Sequence, residues 1–146
     1  MSQKINPVEN FVSGFEAIRA TLAGNDLPWL DSLRRSGIGQ FEDIGLPGPK
    51  VESWKYTRLR PLEDTTFRPV ILADREAYID QVPTVLPSSS GCPRIVFVNG
   101  FMRSDLSCLD NLPEGVTVES LGAAVARDSE WVETHLGRIG SLEGQP

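Results

Sequence analysis

The stretch GLPGPKVESWKYTRL, Gly45 to Leu59, decides where the first half of this chain stops being helical. Gly45 accepts the left-handed backbone that ends helices. Pro47 and Pro49 lack an amide hydrogen and push the residue before each toward extended conformations, so no helix runs through them. Behind this stop, Trp54 and Tyr56 stand among Lys50, Lys55, Arg58 and Arg60, with Glu52 as the only acid, a local charge of +3 over residues 50–60. Aromatics interleaved with cations suit a groove that stacks bases and neutralises phosphates. The chain's net charge of −6 favours the other reading, a structural clamp or a protein interface, in which Trp and Tyr bury wide apolar faces while Lys and Arg stems cover apolar surface and keep their heads wet. In the clamp reading Trp54 and Tyr56 are the anchors.

Upstream of the stop, NFVSGFEAIRATLAG from Asn10 sets Phe11, Phe15, Ile18 and Leu22 on one stripe, and Gly24 ends it, which predicts an amphipathic helix. A second helix is expected after Asp26 as N-cap, with Pro28 in its first turn and Leu30, Leu33, Phe41 and Ile44 at helical spacings. Gly37 and Gly39 interrupt that pattern, and a bend, a tightened turn or a close backbone approach is expected there. Downstream, SWKYTRLRPLED predicts a short helical turn and FRPVILA, from Phe67, a short strand that Pro69 confines to an edge. TVLPSSSGCP reads as a linker. RIVFVNGFMRSDLS then carries β-branched and aromatic residues up to Asn99-Gly100, a dipeptide that takes the positive φ angles of a two-residue hairpin turn. Val116 and Val118 alternate as a second short strand would. ESLGAAVARDSEWVETHLG reads as helix, recapped near Asp128-Ser129.

The organisation expected is therefore a flexible N-terminus over 1–9, a helical region over 10–82, a Pro/Ser linker over 83–93, a hairpin plus helix over 94–140 and a tail over 141–146. The fold class is α+β, with N-terminal helices, a small antiparallel hairpin and a C-terminal helix.

The whole chain has 146 residues, 40% of them hydrophobic and 23% charged, the composition of an ordinary folded domain. Its net charge of −6 opposes nonspecific binding to nucleic acid or anionic lipid. No window approaches the roughly 18 apolar residues of a membrane span, so a cytoplasmic protein with no membrane and no nucleic-acid partner is expected. Cys92 and Cys108 lack CxxC spacing and read as reduced thiols. His135 is the one histidine, which excludes a multi-histidine metal site and leaves any Ser-His-Asp hydrolase dependent on a single residue with no G-x-S-x-G beside it. It reads as a surface histidine on a helix. SGIGQ lacks the third glycine of a dinucleotide loop and lies in a helical pattern. Glu42/Asp43 and Glu63/Asp64 read as solvated acids at helix ends and turns rather than as acid–base pairs. No enzyme is expected.

Beyond these local readings, FEDIGLPGPKVESWKYTRL, Phe41 to Leu59, resembles the N-terminal region of SufD, in the SufB/SufD family of SUF-system iron–sulfur cluster assembly proteins. There a phenylalanine, G-L-P-T, a glutamate and W-K-Y-T recur in that order. RIVFVNGFMRSDLS with LPEGVTVESL, between Arg94 and Leu121, resembles the segment in which a strand ending in V-N-G precedes a return strand and an LPEGV turn. With the WLDSLRR helix, the resemblance covers most of residues 28–121. Gly48 stands where the family usually has threonine. Family members are longer, with a central β-helix that pairs SufD with SufB and a C-terminal region that engages SufC. Neither is in this chain, which the resemblance makes an N-terminal domain with a non-catalytic scaffold or interaction role. The SufB paralogue is the alternative.

The resemblance further implies that the cluster is handled by the parent complex and that this segment binds no cofactor. SufB and SufC would be reached through the missing parts, and apolar surface that the missing β-helix would cover leaves self-association of the isolated domain open. The residues it marks as motif and interface candidates are Gly45, Leu46, Pro47, Glu52, Trp54, Lys55, Tyr56 and Thr57, with Asn99 and Gly100 downstream.

Overall fold

The computed structural model describes residues 6–71 and 92–140. They form helices, a two-stranded antiparallel hairpin and C-terminal helices, an α+β arrangement. Spatial proximity groups them into two units, one made of residues up to Pro69 and from Ala124 onward, the other running from Val70 to Ala123. The C-terminal helix segment thus packs with the N-terminal helices, although the sequence joins it to the hairpin.

In the first unit, α1 spans Pro7–Ile18. It begins before the expected Asn10, because the Asn6 side chain accepts a hydrogen bond from the Val8 amide at 3.0 Å and Pro7 supplies a preset φ in the first turn. Its α-helical geometry ends at Ile18 and a 3₁₀ turn, Arg19–Thr21, follows, so Leu22 lies off the helix in extended backbone. α2 spans Pro28–Ile44, with Leu27 rather than Asp26 as N-cap and no side-chain cap bond. It stays α-helical through Gly37 and Gly39, and a Cβ at either would meet nothing within 4 Å among the described residues. The close backbone approach and the tightened turn expected there are absent.

The core of this unit is small. Leu30, 3% exposed, packs with Ala124, Val125 and Val132, and Leu27, Trp29, Leu33 and Leu136 close around them. Gly24 holds φ +66°, and a Cβ there would lie 2.9 Å from Val125 Cγ1 and 3.0 Å from Leu30 Cδ2, so the chain turns here by pressing bare backbone onto the core. A second apolar focus joins α1 to α2. Phe11 meets Phe41 edge-on at 5.8 Å and stacks on Phe67 at 5.7 Å.

Phe67 reaches that position because its amide donates to Asn10 Oδ1 at 3.0 Å. The expected edge strand does not form over Phe67–Ile71. Phe67 docks its ring on Phe11 of α1, Pro69 can donate to no ladder, and no described strand lies alongside. The rest of that stretch, and most of the Pro/Ser linker, lie outside the described residues.

The C-terminal helix is recapped as the sequence indicates. α4 spans Leu121–Arg127, and α5 spans Ser129–His135 with Asp128 as N-cap, its carboxylate accepting from the Trp131 amide at 3.0 Å. In the second unit, β1 (Phe97–Val98) pairs with β2 (Phe101–Met102), in register Phe97 with Met102 and Val98 with Phe101. Asn99 at φ 51° and Gly100 at φ 80° make the turn, as Asn-Gly chemistry dictates. Pairing resumes at an isolated bridge between Arg94 and Cys108. Val116 and Val118 form no strand; Val116 is exposed and has no partner strand there.

Candidate functional site

The Gly45–Leu59 stretch is a chain of tight turns that its own sequence closes. Gly45 caps α2 at φ 72°, its amide donating to Phe41 O at 2.8 Å, and a Cβ there would approach Val8 Cγ2 to 3.3 Å. Glycine is therefore required by both backbone and packing. The Val51 amide then donates to Gly48 O at 3.0 Å, Trp54 to Val51 O at 2.9 Å and Thr57 to Trp54 O at 2.9 Å. A 3₁₀ turn, Glu52–Trp54, leads into α3, Arg60–Glu63. These bonds are all local, so the stretch is ordered by its own turns. A Cβ at Gly48 would meet nothing within 4 Å among the described residues, which leave room there for the threonine usual in the family.

The side chains do not divide as a clamp would require. Leu46, Pro47 and Trp54 are half-buried. Tyr56 is 91% exposed, with Lys55 Nζ 5.6 Å from its ring centroid. This overturns its role as an anchor: the tight turn at Trp54–Thr57 points Tyr56 into solvent and leaves Trp54 alone to face the protein. Thr57 is exposed.

The cations are partly compensated. Lys55 Nζ lies 3.5 Å from Glu52 and Arg60 Nε 3.2 Å from Asp64. Beside them opens a groove of about 430 Å³ lined by Pro47, Gly48, Pro49, Lys55, Thr57, Arg58, Leu59, Arg60 and Glu63. Arg58 makes no hydrogen bond or ion pair among the described residues. The structure thus brings together the candidates from Gly45 to Thr57 and adds α3. Asn99 and Gly100 shape the hairpin turn of the other unit.

His135 is exposed at the end of α5, with Nδ1 2.7 Å from Trp131 O and its ring stacked on Trp131 at 4.4 Å. Cys92 and Cys108 are free thiols, and Cys108 Sγ lies 3.8 Å from Asp110 Oδ2. Among the described residues no three His, Cys, Asp or Glu side chains converge as metal ligands. No helix among them is long and apolar enough to cross a membrane. Glu42 and Asp43 are exposed at the end of α2.

One polar cluster escaped the sequence. Asp31 accepts from Arg19 Nε at 2.9 Å and from Arg35 Nε at 2.8 Å. Those bonds, that to Arg35 first, hold the Asp31 carboxyl below its ordinary pKa, and the bond to Asp31 raises that of Arg19. The spacing from Asp31 to Arg35 carried a helical signal, whereas Arg19 lies twelve residues from Asp31 and carried none.

No solved structure matches the chain. The Iron-sulfur cluster assembly SufBD family protein of Synechocystis sp. is 25% identical over 143 residues, covering 94% of this chain and 30% of the relative. The chain therefore spans about a third of that relative's length. A family model described as the SufBD protein N-terminal region matches residues 5–145, across both units and through the Gly45–Leu59 turns, and the chain belongs to that family.

Proposed function

We propose that this chain is the N-terminal domain of a SufD-like component of the SUF iron–sulfur cluster assembly complex, acting in the cytoplasm as a non-catalytic scaffold or interaction module. The observation that carries this reading is the SufBD N-terminal match over residues 5–145. SufD is favoured over the SufB paralogue because the G-L-P and W-K-Y-T stretch and the V-N-G hairpin both sit close to the N-terminus. In this reading SufB and SufC bind parts of the longer protein that this chain does not cover, the cluster is cargo of the whole complex, and no cofactor belongs to this segment. The exposed Lys55–Tyr56 corner serves contacts between proteins rather than chemistry.

A pull-down of SufB and SufC with the full-length parent and with the 146-residue chain tests the assignment. The parent is expected to retain both partners, and the chain alone neither strongly. Strong capture of SufC by the chain alone overturns this division of roles.

A further inference from the structure

The groove of residues 47–63 combines apolar lining from Pro47, Pro49 and Leu59 with three cations, Lys55, Arg58 and Arg60, against one carboxylate, Glu63. We propose that it docks an extended acidic segment of a protein partner, one that places carboxylates against the cations and a nonpolar side chain between the prolines. This deepens, and rests on, the interaction role proposed above.

Three observations point to that occupant. Tyr56, which follows the groove residue Lys55 and precedes Thr57 in sequence without itself lining the groove, is a large aromatic left 91% exposed, and Tyr and Arg are among the residue types enriched where binding energy concentrates at protein interfaces. The scaffold that presents it is already ordered by local backbone bonds, so little conformational freedom is lost on docking. The cations are held by replaceable partners: the Glu52 side chain is 89% exposed and Arg60 83% exposed, and ion pairs so open to water stabilise little, so an incoming carboxylate exchanges for them readily. Arg58, with no partner among the described residues, is the vacant cation of the set.

A polyphosphate chain fits less well. The chain carries −6, a field that opposes a long polyanion more than a short segment, and the Lys55 ammonium lies 5.6 Å from the centroid of the Tyr56 ring that a base would need for stacking. A short segment with two or three carboxylates needs only the local field.

Fluorescence anisotropy of the chain with three labelled probes tests this: a peptide of alternating glutamate and leucine, the same peptide with glutamine for glutamate, and oligothymidylate. The glutamate peptide is expected to bind about tenfold or more tighter than the glutamine peptide, and Arg58→Ala and Tyr56→Ala are each expected to weaken it about tenfold. Both side chains are exposed, so an unchanged urea midpoint shows that the variants still fold. Equal affinity for the two peptides, or binding indifferent to both substitutions, overturns the proposal. Tighter binding of oligothymidylate with the same residue dependence replaces it with a nucleic-acid surface. Failure here with SufB and SufC still captured by the parent removes the docking groove alone. Loss of both captures removes the family role.

Discussion

Substituting alanine at Gly24 is expected to destabilise the helical unit by several kcal/mol, whereas alanine at Gly37 stabilises it. Two costs act at Gly24. Its φ of +66° lies in the left-handed region, where an L side chain costs about 1–2 kcal/mol. The added methyl would also sit 2.9 Å from Val125 Cγ1, 3.0 Å from Leu30 Cδ2 and 3.1 Å from Leu27 Cδ1, and overpacking of this kind costs about 1–3 kcal/mol. Together these give about 2–5 kcal/mol against a domain stability on the order of 5–15 kcal/mol. Gly37 lies inside α2 with open space around it, and replacing a mid-helix glycine by alanine gains about 1 kcal/mol. Urea unfolding followed by circular dichroism reads both changes. A cycle with Val125→Ala separates the two costs, since removing the nearest methyl relieves overlap but not backbone strain, and a coupling of about 0.5–3 kcal/mol is expected between the sites. An unchanged or raised midpoint for Gly24→Ala would show that the turn does not press on the Leu30–Val125 core and would refute the packing drawn above.

Two further outcomes follow from named contacts. The Asp31 carboxyl is held below its ordinary 3.8 by Arg35 and Arg19, so its contribution is complete above that value and is lost as pH falls through the lower folded value. Asp31→Asn should therefore flatten the acid limb of the stability profile and leave its shape above neutrality unchanged; urea midpoints across an acid series that fall in parallel for both proteins contradict the network. The Asp128 cap starts a helix of only seven residues, and Asp128→Ala is expected to cost about 1 kcal/mol of stability by the same assay, with Asp128→Asn retaining most of it.

What was legible in the sequence was local chemistry. Asn99-Gly100 demanded a tight turn and made one; Asp128-Ser129 signalled a recapped helix and capped one; Gly45 and the prolines behind it stopped α2 where they had to. What escaped depended on partners distant in sequence. The apolar run at Phe67 has strand composition, but its ring found Phe11 and its amide found Asn10, fifty-seven residues away, and no alternation pattern encodes that choice. Gly37 and Gly39 suggested a bend, a tightened turn or a close backbone approach, and α2 runs α-helical through both with no neighbour among the described residues. Gly24, read only as a helix stop, is the glycine the core leans on.

Tyr56 marks the same boundary at the candidate site. Its composition with Lys55 and Trp54 fitted burial and binding equally, and only the direction imposed by the Trp54–Thr57 turn separates them. Trp54 turns inward far enough to be half-buried, while Tyr56 faces water. Among the described residues Tyr56 gains little apolar contact, so its ring adds little to this fold. In the proposed reading that exposed ring is what a docked partner covers, and the stretch acts as a contact surface rather than as a clamp.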